Sequence, residues 1–183
     1  MLRTMRPTDY LERHYGLSRA QTVEFGQMFD RCIIGKADLR EEIGYFLKEW
    51  NLKDSVSTFL NRAFEDGCNI DETVLATVQS LRSRGVKCGL VTNQDKHRME
   101  FLDRELALRS HFDRVFVSHE IGFKKPDHAF YRAIAAQLPR ARLLFWDDRI
   151  ENVKAARACG WTSFHFQTAV KFADEVQSLA LSH

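Results

Sequence analysis

Leu143-Leu144-Phe145-Trp146-Asp147-Asp148 is a run of four apolar residues leading straight into two adjacent carboxylates. An apolar run of that length reads as a buried strand. A helix follows over 151–159 and stops at Gly160, a residue suited to a helix C-terminus. A second apolar run then covers 161–166. The same rhythm extends upstream. A helix over 71–84, capped by Asp71 and stopped by Gly85, feeds an apolar run at 86–91. A helix over 96–106, a strand at 114–117 and a helix over 129–137 come next. Strands alternating with helices at this spacing predict right-handed crossovers and a parallel sheet covered on both faces, a Rossmann-like α/β core over 71–183. A tail helix over 169–181, with Val170, Phe172, Ala173, Val176, Leu179 and Ala180 on one side, is expected to pack against that sheet.

The first third has a different texture. Segments 10–15, 20–29, 39–50 and 55–64 carry apolar residues three and four apart, which predicts helices throughout 6–66. Gly16, Gly35 and the stretch 51–54 punctuate them, with Asp54 or Ser55 as the N-cap of the fourth. Only Cys32-Ile33-Ile34 hints at a strand.

With 183 residues, 44% of them apolar, the chain can bury a sizeable core, which argues against disorder. A formal net charge of +2, with Lys and Arg scattered rather than striped, argues against a nucleic-acid partner. The apolar runs are strand-sized, well short of the ~20 residues a membrane span needs. Residues 1–6 show no signal-peptide pattern. Cys32, Cys68, Cys88 and Cys159 form no Cys-x-x-Cys pair and read as reduced core thiols of a cytoplasmic protein.

Ligands of an open parallel sheet bind outside the carboxyl ends of its strands. Thr92, Ser118 and the Asp147-Asp148 pair all fall at such ends, so residues far apart in sequence are expected at one edge. Thr92 and Asn93 precede a helix whose first N–H groups can hold an anion; the plainer role for Thr92 is to cap that helix. Lys125 precedes Pro126, which disfavours helix and sets the lysine in an extended loop. An ammonium there can neutralise a phosphate or a nucleophile, although a Lys124-Lys125 pair also suits a solvated surface. Adjacent carboxylates at the end of a buried strand repel unless a cation or strong donors stand between them. Mg²⁺, a hard ion that keeps several waters, suits that place.

In these residues the chain resembles the phosphatase branch of the haloacid dehalogenase (HAD) superfamily. Thr92 matches the hydroxyl of its second motif and Lys125 the lysine of its third. Asp147 and Asp148 match its acidic fourth, within an Asp-Asp-Arg-x-Glu-Asn-x-x-x-Ala pattern that includes Asn152, with Gly160 beyond. The likeness covers about 71–166, and the helical 6–66 resembles the family's small cap. It implies a Mg²⁺-dependent phosphatase of a small phosphorylated metabolite, acting through an aspartyl-phosphate. Lys125 would be catalytic, Thr92, Asn93 and Lys125 would bind phosphate, and Asp147 and Asp148 would hold the metal.

The family's first motif, Asp-x-Asp at the end of the first strand, is absent. Asp30, in Phe29-Asp30-Arg31-Cys32, has no strand before it and a cysteine where the second aspartate belongs. One expectation is a chain shortened at its N-terminus, with Met1-Leu2 standing where the family has Val-Leu of Asp-Gly-Val-Leu. The missing strand would be central, between those ending at Thr92 and Trp146, and its loss would leave backbone groups unpaired. The other is a non-catalytic relative that binds a phosphorylated ligand or a partner protein. Unpaired strand edges also favour a homodimer.

Overall fold

The computed structural model describes residues 2–3, 7–65, 68–139 and 141–181. Met1, Arg6 and Asp66, which carry the Met1-Leu2 correspondence and the ends of the expected cap, lie outside the described residues. The chain runs β1 (Leu2–Arg3), α1 (Pro7–Tyr15), α2 (Arg19–Ile33), α3 (Leu39–Glu49), α4 (Val56–Glu65), β2 (Asn69–Ile70), α5 (Glu72–Ser83) and β3 (Gly89–Thr92). It continues with α6 (Lys96–Leu106), a 3₁₀ turn (Leu108–His111), β4 (Arg114–Val117), α7 (Ser118–Ile121) and α8 (His128–Gln137). The last elements are β5 (Leu144–Asp147), α9 (Ile150–Ala158), β6 (Thr162–His165) and α10 (Ala169–Leu181).

Short polar side chains set the helix starts. Ser18 and Gln21 form a capping box on α2, and Asp38 and Asp71 accept backbone N–H bonds at the starts of α3 and α5. Ser55, not Asp54, accepts the N–H of Thr58 at the start of α4. Cys32 and Ile33 belong to the last turn of α2, so the strand hint there fails: the preceding helix carries on until Gly35 turns the chain at φ +72°. The two-residue β1 and β2 pair antiparallel, Leu2 opposite Ile70. Segments that short carry no periodicity and were not expected.

Gly35 also marks how closely the helical third meets the rest. A Cβ there would lie 2.5 Å from the carbonyl oxygen of His119. Gly35→Ala is therefore expected to lower stability by about 2 kcal/mol, combining a strained backbone with a forced separation; a urea melt reads it directly.

The core is an α/β layer arrangement whose sheet is in two pieces. β3 pairs in parallel with β4, and β5 in parallel with β6, but no ladder joins β3 to β5. Side chains alternate between layers. Val91, Phe116 and Phe145 meet α8 and α9 in a cluster with Phe130, Tyr131, Ile134 and Trp161. Leu90, Val115 and Val117 face the other way, into a cluster that joins α6 to α2, α3 and α4 through Phe25, Ile43, Phe59 and Leu102. α8 and α9 thus hold the two half-sheets side by side. On α10, Phe172 and Val176 are buried and Phe172 packs on Trp146, whereas Val170 is 65% exposed. The expected apolar side is therefore narrower than its sequence suggests, and the Ala180 side chain lies outside the described residues. Among the described residues no helix is long and apolar enough to cross a membrane.

Candidate active site

Lys125 sits at the C-terminal mouth of the sheet, where its ammonium ties the two halves together. Nζ donates to the Val91 carbonyl of β3 at 3.0 Å and to Asp147 Oδ2, at the end of β5, at 2.7 Å. The pair is largely shielded, with side-chain exposures of 12% and 5%. Asn93 fixes the loop that carries the lysine: its amide donates to the Lys125 carbonyl and accepts from the Lys125 N–H, both at 2.9 Å. Both ends of the Asn93 side chain are engaged in placing Lys125.

Asp147 has its oxygens filled. Oδ1 accepts from the Arg149 N–H at 2.9 Å and from the Asn152 amide at 2.8 Å, while Oδ2 accepts from Lys125. Burial alone would raise its pKa, but the Lys125 charge and these bonds outweigh it and hold the carboxyl below the usual range. Asp148 is the reverse. It lies at the exposed rim, its carbonyl accepts from His165, and partial desolvation followed by repulsion from Asp147 raises its pKa. The adjacent carboxylates therefore differ in kind: Asp147 orients Lys125, and Asp148 is exposed, with the Lys125 charge offsetting only part of what raises its pKa. Sequence could not separate them.

Other expectations change in detail. Asp95, not Thr92, caps α6, accepting the N–H groups of His97 and Arg98. The anion site imagined at that helix start is thus filled by a carboxylate of the chain itself. Ser118 is wholly buried; its hydroxyl donates to the Ile33 carbonyl at 2.7 Å and accepts from the Gln94 N–H at 3.0 Å. It joins α7 to α2 rather than to the cleft, so its place at a strand end does not bring it into the site. Asp30 lies on α2 in an ion pair with Lys124, within the same cleft. Among the described residues no cluster of three or more His, Cys, Asp or Glu side chains is arranged to hold a metal.

Thr92, Asn93, Lys125, Asp147 and Asp148 all line one cleft, of about 1550 Å³, between β3 and β5. Sequence reasoning passed over Arg98, which also lines it. The residue is 4% exposed, and its guanidinium lies over the rings of Phe64 and Phe101 and donates to the Phe64 carbonyl. The usable signal was its place one helical turn before Phe101 and Leu102, on the buried face of α6.

The profile of the haloacid dehalogenase-like hydrolase family matches residues 7–160. The chain belongs to this family. Among its relatives is the sesquiterpene phosphatase astK of Aspergillus oryzae, 31% identical over 114 residues, covering 60% of this chain and 57% of the relative. The chain thus spans little more than half the length of that relative. A HAD-like family hydrolase of Porphyromonas gingivalis superposes with a TM-score of 0.78 at 18% identity, covering 98% of this chain and 92% of that one. A HAD family enzyme of Bacteroides thetaiotaomicron, solved with magnesium and inorganic phosphate, superposes with a TM-score of 0.67 at 16% identity, covering 76% and 74%. At these identities the structures establish the HAD fold.

Proposed function

We propose that this chain carries the phosphate- and metal-handling part of a HAD phosphatase site for a small phosphorylated metabolite. The observation that carries the reading is the Lys125–Asp147 pair, held by Asn93 at the mouth between β3 and β5. Phosphoryl transfer asks the protein mainly to position groups and neutralise charge. Lys125 would neutralise phosphoryl oxygens and the incoming nucleophile, and the Thr92 hydroxyl would donate to the phosphate. Asn93 and Asp147 would keep the ammonium in place. The helices of 6–66 would act as the cap, with α2 lining the cleft through Phe29 and Ile33.

The donor set suits Mg²⁺. That ion commonly takes one or two carboxylates and completes its shell with water and substrate phosphate. Asp148 supplies an outward carboxylate whose raised pKa a cation would relieve, with Asp147 beside it. When bound, Mg²⁺ would neutralise charge on the phosphoryl oxygens. The B. thetaiotaomicron relative, holding both magnesium and phosphate, supports the pairing.

No Asp-x-Asp occurs in residues 1–183. The attacking carboxylate would come from a strand ahead of Met1. Its oxygen would attack phosphorus and expel the alcohol, and water would then cleave the aspartyl-phosphate. Residues 1–183 alone are expected to bind phosphate in a Mg²⁺-dependent way by calorimetry, yet release none from p-nitrophenyl phosphate. Release by this chain that Asp147→Ala abolishes would refute the division of labour, and a flat titration would refute the site. The missing Asp-x-Asp also favours a second reading, a non-catalytic phosphate-binding relative. The intact mass of the native protein separates the two: about 1–2 kDa above 21.3 kDa marks the added strand, and 21.3 kDa itself marks the binder.

A further inference from the structure

A second cavity, of about 350 Å³, lies where the turn from α2 to α3 meets the start of α6. Of the residues that line it, only Asp95 also lines the β3–β5 cleft. Its volume falls at the small end of the ~300–1,000 Å³ typical of small-molecule pockets.

The buried floor of this cavity holds an unmet carboxylate. Asp95 is 1% exposed; Oδ1 accepts the N–H groups of His97 and Arg98, and Oδ2 has no hydrogen-bond partner. Burial raises its pKa, the mark of a negative charge without a full counterpart. A buried carboxylate oxygen in that state calls for a donor, and a cationic donor serves best. Cys32 and Leu39, both buried, line the same cavity and offer apolar contact to a carbon skeleton.

The half-buried walls are polar but already engaged. His97 Nε2 bonds to Asp38 Oδ2 at 2.8 Å, and His119 Nδ1 donates to the Gln94 carbonyl at 3.1 Å. Among the described residues no three ligating side chains are placed to hold a metal, so the missing donor is a molecule rather than a metal ion. Toward solvent the charge reverses. Lys36, from the α2–α3 turn, and Lys96, from the first turn of α6, both line the cavity and are exposed. Two ammonium groups there disfavour a simple cation and favour a molecule whose far end is anionic.

We infer that this cavity binds a small zwitterion, its ammonium on Asp95 and its anionic group, carboxylate or phosphate, toward Lys36 and Lys96. No group of the Lys125–Asp147 site enters the assignment, so it stands apart from the phosphatase reading.

The test titrates residues 1–183 by calorimetry with γ-aminobutyrate and with 3-aminopropyl phosphate. Saturable binding of at least one is expected, and the tighter of the two identifies the anion. Butylamine and butyrate, each lacking one of the charges, are expected to bind at least about tenfold more weakly. Asp95→Asn keeps a side-chain oxygen for the start of α6 and removes the charge; it is expected to weaken binding at least about tenfold. Should that variant not fold, the exposed pair Lys36→Gln with Lys96→Gln is expected to weaken binding to a similar extent with an unchanged melt. NMR locates the ligand: the His119 ring, in this cavity, is expected to shift, and the Trp146 indole, in the β3–β5 cleft, to stay. The inference is overturned by no saturable binding, by butylamine or butyrate binding as tightly as the zwitterions, by undiminished binding in a folded variant, or by shifts at Trp146 without His119.

Discussion

Asp147→Ala is expected to lower stability by about 3 kcal/mol at neutral pH, a drop in Tm of roughly 6–12 °C for a chain of this size. The substitution removes the partner of a shielded ammonium and also leaves the Arg149 N–H and the Asn152 amide without their acceptor. The pH dependence has a definite sign. The folded pKa of Asp147 lies below its unfolded value of about 3.9, so the stabilisation is present above that value and is lost as pH falls through the depressed folded one. The gap in Tm between parent and variant should therefore persist from pH 5 to 8 and close below about pH 4. The double change Lys125→Met with Asp147→Leu should recover most of the loss, because an apolar pair of similar size needs no compensating charge. Thermal melts across pH check all three, and a gap that widens in acid would refute the assignment.

Asp148→Asn is expected to act oppositely. Mg²⁺ affinity, read by calorimetry with inorganic phosphate present, should fall at least about tenfold, or about 1.4 kcal/mol, because the outward carboxylate is lost. Without Mg²⁺ the same variant should melt slightly higher than the parent at pH 7. An acid whose folded pKa is raised carries a penalty that appears as pH climbs past its unfolded value, and the amide removes it. For the same reason Mg²⁺ binding by the parent should weaken on acidification while still above pH ~4, earlier than an ordinary carboxylate would allow. If Asp147→Asn costs more Mg²⁺ affinity than Asp148→Asn while leaving Tm unchanged, the two roles are reversed.

The strand–helix alternation of the second half was legible because each element carries its own signal. The apolar runs end near Thr92, Val117 and Asp147, and α10 spans the expected residues. The run at 86–91 became a strand only from Gly89, because its pairing with β4 begins at Arg114 and Val86 lies outside, 47% exposed. The side-chain roles at the mouth were less legible. Asn93 and Lys125 are 32 residues apart, and nothing local says that an amide will close on that backbone. Ser118 looked like a site residue by position, but its direction was settled by an Ile33 carbonyl 85 residues away.

By itself, then, the sequence determined the elements, their order and the chemical types gathered at one edge: a hydroxyl, an ammonium and two carboxylates. Local propensity and periodicity suffice for that. Only the tertiary structure decided which carboxylate holds the lysine and which faces outward. It also decided that α2, α3 and α4 share a cluster with α6; the opening between β3 and β5 was already expected from the absent first motif. The reason is physical: burial, charge pairing and strand pairing are set by neighbours distant along the chain.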